Sequence, residues 1–194
     1  LKVGAAAISE GDMNTNVELM LNVPFSESFA LRGVAYYDRK GGYIDNVAGT
    51  RDASESARFR SAGTVRDNGV PVSTQREGFQ AGADLSGVAF LEADNSSLVE
   101  KDFNETEYRG MRVSGLWDIN DKWSLLVAHQ AQDIESDGVF FADPELDDLE
   151  IQRYSNDRIE DGFNNTSWTL DGMIGDLEIV YTGAFTDRET DQVV

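Results

Sequence analysis

The sequence predicts an all-β protein: an antiparallel transmembrane β-barrel segment of about seven strands, forming an open curved sheet with long extracellular loops. Three observations lead there. Apolar residues recur with a period of two through most of the patterned text. Turns of two or three residues alternate with long polar connections. No apolar run in the 194 residues approaches the roughly 18–20 of a membrane-spanning helix, yet aromatic residues make up 10%.

The elements follow in order. Lys2 to Ser9 reads as a strand of small residues. Over Asn16 to Val23, Val17, Leu19, Leu21 and Val23 share one face, with Asn16, Glu18, Met20 and Asn22 on the other. Pro24 to Ser28 breaks that strand. The next places Phe29, Leu31, Gly33, Ala35 and Tyr37 opposite Ala30, Arg32, Val34, Tyr36 and Asp38. Met111, Val113, Gly115 and Trp117 begin a second pair, which turns at Asn120-Asp121 and resumes with Trp123, Leu125 and Val127. A third pair runs through Trp168, Leu170, Gly172 and Ile174, turns at Gly175-Asp176, and returns through Leu177, Ile179, Tyr181, Gly183 and Phe185. No stretch shows convincing helical amphipathicity.

The long connections are Lys40 to Asn104 and Ile134 to Gly162. Loops of this length are uncommon in compact soluble domains. Outer-membrane barrels combine short periplasmic turns with long outer loops. Alternation alone leaves a soluble sandwich open, since either fold has one apolar face. Three details favour the barrel. The apolar faces carry Gly33, Gly115, Gly172 and Gly183. Trp117 and Trp123 flank one short turn, where an aromatic girdle would sit. The polar faces carry Arg32, Arg112, Gln130 and Gln132, suited to a wet lumen.

Charge and composition exclude several classes. Sixteen basic against 36 acidic side chains give −20, which argues against nucleic acid as a partner. The surplus is concentrated: Glu135 to Gly162 holds ten acids and two arginines, and Glu77 to Tyr108 eight acids and one lysine. Without cysteine there are no disulfides, thiol nucleophiles or thiolate metal sites. The text opens on Leu1 and stops on Val193-Val194 within strand-like sequence, so it reads as a slice of something longer.

Four runs resemble TonB-dependent outer-membrane receptors of the iron-complex (siderophore) type. They are FALRGVAYYDRKGGYIDNV at Phe29–Val47, KDFNETEYRGMRVSGLWDINDKW at Lys101–Trp123, DGVFFADPEL at Asp137–Leu146 and GDLEIVYTGAFTDR at Gly175–Arg188. The resemblance is weakest over Thr50 to Gly78. It implies a partial barrel domain spanning 1–194, with about seven of about 22 strands, and with plug and remaining strands absent. It further implies the outer membrane of a Gram-negative bacterium and outer-membrane lipid as a partner. The TonB complex would engage through the absent plug and coupling motif. The ligand would be a ferric siderophore, haem, cobalamin or oligosaccharide. That is transport, not enzymatic catalysis, with no cofactor. The alternatives are a soluble, secreted, acidic β-sandwich binding carbohydrate or cations, and a passive porin-like barrel.

Candidate residues follow from chemistry. Arg51, Arg58, Arg60, Arg66 and Arg76 form the one locally basic stretch, five cations against three acids. Guanidiniums offer planar, bidentate donors to a carboxylate, a catecholate or lipopolysaccharide phosphate; a flexible charged loop is the simpler reading. Arg58 and Arg60 are the ligand candidates there. Arg32, Tyr36, Arg112 and Gln130 are the expected lumen-facing positions. Asp143, Glu145, Asp147, Asp148 and Glu150 could surround a hard cation, but their spacing matches no calcium loop, and solvated loop is the simpler reading. His129, the lone histidine, lacks the partners for a metal or catalytic site and fits the outer rim. The Asn-x-Ser/Thr matches at Asn95, Asn104 and Asn165 read as chance. No nucleophile elbow, phosphate-cradling glycine loop or HExxH occurs.

Overall fold

A computed structural model describes residues 1–66 and 69–193. It is all-β, with no α-helix among the described residues. The chain divides into two compact units: Leu1–Tyr43 with Asn104–Val139 and Asp157–Val194, and Ile44–Phe103 with Phe140–Asn156. We call them the sheet unit and the loop unit.

The sheet unit is one antiparallel seven-stranded sheet. Its strands are β1 (Lys2–Ala6), β2 (Asn14–Pro24), β3 (Phe29–Lys40), β7 (Thr106–Asn120), β8 (Trp123–Asp137), β10 (Arg158–Ile174) and β11 (Leu177–Val193), in that spatial order. The loop unit contributes β4 (Asp45–Asn46), β5 (Thr50–Asp52), β6 (Glu92–Asp94) and β9 (Glu150–Ile151), paired β4 with β9 and β5 with β6. Each long strand pairs with its neighbours in sequence order, and among the described residues β1 and β11 pair on one side only.

Local chemistry sets the turns. The β7–β8 turn is an Asx turn, with Asn120 Oδ1 accepting from Lys122 N at 3.0 Å. The β10–β11 turn needs φ of +63° at Gly175, a conformation in which a Cβ would be strained. The strands outlast the apolar pattern: β8 continues to Asp137, and β10 already starts at Arg158. The connection expected over Ile134 to Gly162 is therefore shorter than its polarity suggests. Ladder pairing such as Glu160↔Glu135 carries polar residues as readily as apolar ones.

Register confirms the two faces. Residues directly across the ladder point the same way, so Leu31, Gly115, Val127, Trp168 and Gly183 form one row of the apolar face. Three of the four glycines on that face are seats for larger neighbours. A Cβ on Gly172 would strike the Trp123 ring, one on Gly183 the Trp168 ring at 2.5 Å, and one on Gly115 would press Leu31 at 3.2 Å. Only Gly33 faces open space. Aromatic cover of a cross-strand glycine keeps the face continuous.

This face forms no core. Leu21 is 59% exposed, Phe185 69% and Leu177 70%. The buried apolar residues of the sheet unit are Ala128, on the opposite face, and Val139. The apolar band also crosses the strands obliquely. On β2 it runs from Val23 to Val17, and on β11 from Leu177 to Phe185. Followed through the ladder, its lower edge drops three rows and its upper edge two rows over five inter-strand steps. With about 4.8 Å between strands and about 6.8 Å per pair of residues, the band slopes about 30–40° from the perpendicular to the strands.

Candidate functional site

Two groups of residues gather the candidate binding chemistry, one in each unit. On the polar face of the sheet, the ladder aligns Arg112 with Gln130 and with Val34, and Arg32 with Ser114. Arg32 and Arg112 line a hollow of about 570 Å³ with Val34, Leu116 and Leu126. No carboxylate is among its described lining residues. Arg32 Nη2 lies 2.9 Å from Met20 Sδ. Tyr36 lies one row pair further from the turns. Its hydroxyl donates to Gln132 Oε1, reaching across Gly110, where a Cβ would meet Tyr36 Oη at 2.5 Å. The structure thus places Arg32, Tyr36, Arg112 and Gln130 on one face, as the alternation predicts. His129 stands on the other face, with Nδ1 2.9 Å from Thr166 Oγ1.

In the loop unit, side-chain amides do the holding. Asn46 and Asn95 are 2% and 1% exposed. Asn95 Oδ1 accepts from Gly49 N at 2.7 Å, and its Nδ2 donates to Val47 O at 2.8 Å. Asn46 Nδ2 donates to Leu98 O at 2.6 Å, and its Oδ1 accepts from Arg153 N at 2.8 Å. Three separate segments are tied by four bonds, each to a backbone group that burial would otherwise leave unpaired. The Asn95 amide is therefore committed to structure, which accounts physically for that glycosylation-like match. Further out, Asp94 accepts from the Ser96 hydroxyl and backbone N–H, which together hold its carboxyl below the usual value. The backbone N–H of Ser86 does the same for Asp84.

This scaffold carries a cavity of about 1010 Å³ whose lining includes Arg51, Arg58, Arg60 and Arg66. Arg51, Arg58 and Arg60 are held by backbone bonds. Arg51 sits in the β5–β6 ladder opposite Ala93. Arg58 and Arg60 are bracketed by Gln80 N on Arg58 O at 2.9 Å and Gly78 N on Arg60 O at 2.8 Å. The approach at Gly78 is close enough that a Cβ would strike the Arg58 carbonyl. Arg76, fifth of the basic stretch, joins Arg60 and Arg66 around an adjoining hollow of about 340 Å³.

Aromatic rings flank the arginines, and two of them, Phe59 and Phe90, line the cavity itself. The Arg58 guanidinium lies 5.9 Å from the centroids of both Phe59 and Phe79, and Arg51 lies 5.0 Å from that of Tyr154. Phe59 and Phe90 meet edge to face at 5.6 Å. The basic stretch was visible in sequence; its aromatic partners were not, because Phe79, Phe90 and Tyr154 join it only through folding. One local signal existed: Phe59 separates Arg58 from Arg60. Of the acidic residues weighed for a cation, Glu145 lines this same cavity. No group of three or more His, Asp or Glu side chains placed to hold a metal occurs among the described residues.

Compared with protein-family models, curated proteins and solved structures, the chain matches none.

Proposed function

We propose that this chain is a wall segment, with its outer loops, of an outer-membrane barrel that takes up a scarce ligand by active transport through TonB. The observation that carries the reading is the exposed, sloping apolar band. Its inclination of about 30–40° is close to the strand tilt of transmembrane barrels, about 35–45°. Its length from Leu177 to Phe185 is about 27 Å along the strand, or about 21–23 Å along a normal inclined by that slope, near the apolar height of about 25 Å such barrels present. Short turns gather at one end of the sheet and long connections at the other. The polar face with Arg32, Tyr36, Arg112 and Gln130 becomes the lumen wall, and the loop unit the outward-facing capture element. Further strands complete both edges.

The test uses the full-length protein. Folding into detergent micelles or phospholipid vesicles, with heat-modifiable electrophoretic migration and recovery in the outer-membrane fraction, is the expected result. Cooperative folding as a monomer in detergent-free buffer defeats it in favour of a soluble sandwich. Ligand accumulation that persists after TonB is deleted defeats the energised step and leaves a passive barrel.

A further inference from the structure

We propose that the arginine cavity of the loop unit binds an organic anion joined to an aromatic or flat apolar body. The inference does not rest on the membrane reading, since every residue it uses lies within the loop unit.

The argument begins with unmet donors. Arg60 Nη2 donates to Glu55 O at 3.1 Å and Arg66 Nε to Val70 O at 3.2 Å, which leaves most of their N–H groups without a protein acceptor among the described residues. The Arg51 and Arg58 side chains have no acceptor at all among the described residues. They lie over rings instead, an arrangement that holds the guanidinium plane while its N–H edge stays available. Three carboxylates, Asp52, Glu55 and Glu145, also line the cavity, but among the described residues none forms an ion pair with these four arginines. Asp52 is engaged in accepting from Ser54 N at 2.8 Å. The adjoining hollow, with Arg60, Arg66 and Arg76, has no carboxylate among its described lining residues. The four guanidiniums outnumber the three carboxylates of the lining, and like charges that share one cavity repel. A bound anion relieves that repulsion.

Size and lining specify the rest of the ligand. About 1010 Å³ suits a drug-sized molecule rather than a bare oxyanion. Phe59, Phe90, Leu91 and Val88 offer an apolar wall for its body. The chemistry fits a carboxylate or a phosphate ester equally, and the test separates them.

The full-length protein, in micelles or in detergent-free buffer, whichever folds it, is titrated with 1-naphthyl phosphate and 1-naphthoate, followed by naphthyl fluorescence. Inorganic phosphate and 1-naphthol serve as the anion-only and ring-only probes. Saturable binding of at least one naphthyl anion is expected, at least about tenfold tighter than either single-feature probe. The phosphate-to-naphthoate affinity ratio identifies the source of the charge. Arg58→Gln should weaken binding about tenfold or more, and Phe59→Leu several-fold, while Lys122→Gln in the β7–β8 turn leaves it unchanged. Arg58→Lys, which keeps charge but loses the planar fork, should fall between. Should Arg58→Gln fail to fold, the salt dependence of the unmodified protein decides: affinity must fall between 50 and 500 mM salt. Equal binding of inorganic phosphate or naphthol, indifference to Arg58→Gln or to salt, or absence of saturable binding overturns the proposal.

Discussion

Leu177 and Phe185 stand on the sheet 70% and 69% exposed, whereas Ile44 and Ile151 of the loop unit are 1% and 5% exposed. The two units have solved the same problem in opposite ways. In the sheet, the backbone satisfies itself through ladders of up to 17 paired residues, and the apolar side chains of one face stay exposed. In the loop unit, ladders of two or three residues cannot do that, so buried asparagines pair the backbone and a few aliphatic residues pack inside. The difference teaches which surroundings each unit suits. A sheet with its apolar face outward is stable where that face meets hydrocarbon. A unit held by buried side-chain amides is what an irregular segment needs in water.

The sharpest way to break this comparison is a charge on the sheet. Val127→Arg is expected to destabilise the vesicle-folded protein by about 2–4 kcal/mol, read by urea titration, because the site lies within the apolar band. Ser114→Arg, on the other face of the adjacent strand, should cost far less. If Val127→Arg changes stability by under about 0.5 kcal/mol, as an exposed site in water would, the band does not meet lipid. Next comes Asn95→Ala, which unpairs Gly49 N and Val47 O in the loop unit. A cost of about 1–3 kcal/mol is expected, with faster amide exchange over 44–49 and none gained in the β10–β11 ladder. Faster exchange in both units would show that they do not open independently.

Gly183→Ala should cost about 1–2 kcal/mol through its collision with Trp168, while Gly33→Ala, facing open space, should be neutral by the same titration. Equal effects would remove the case for aromatic cover. The smallest effect concerns pH. The Asp94 carboxyl is held below its ordinary value of 3.8 by Ser96, so it contributes stability above that value and loses it as pH falls through the lowered one. Carboxyl NMR titration should show Asp94 returning toward its ordinary value in Ser96→Ala, with the sheet signals unmoved.

The sheet was legible because its information is local. Val17, Leu19, Leu21 and Val23 declare a face within one strand, and Asn120 or Gly175 declares a turn within two residues. The placement of Arg32, Tyr36, Arg112 and Gln130 on one face of the sheet followed from that alternation alone. The loop unit was illegible because its bonds are singular and distant: Asn95 meets Asn46 across 49 residues and Arg153 meets Asn46 across 107. No period announces such contacts. The same holds for the arginine cavity, whose basic residues lie within one stretch, while Phe90 in its lining and Phe79 and Tyr154 beside its arginines come from elsewhere in the chain.

The Asn-tied loop unit also bears on how the sheet can assemble. Bringing β3 and β7 together across the chain between Lys40 and Thr106 costs about 3 kcal/mol more closure entropy than a two-residue hairpin. Within the loop unit, however, Phe103 N donates to Ile44 O at 2.8 Å and Glu100 N to Asn46 O at 3.1 Å, so its entry and exit are already side by side. Once the insert has formed, it acts as a prefolded turn. A long-range search then becomes a local zippering event between β3 and β7.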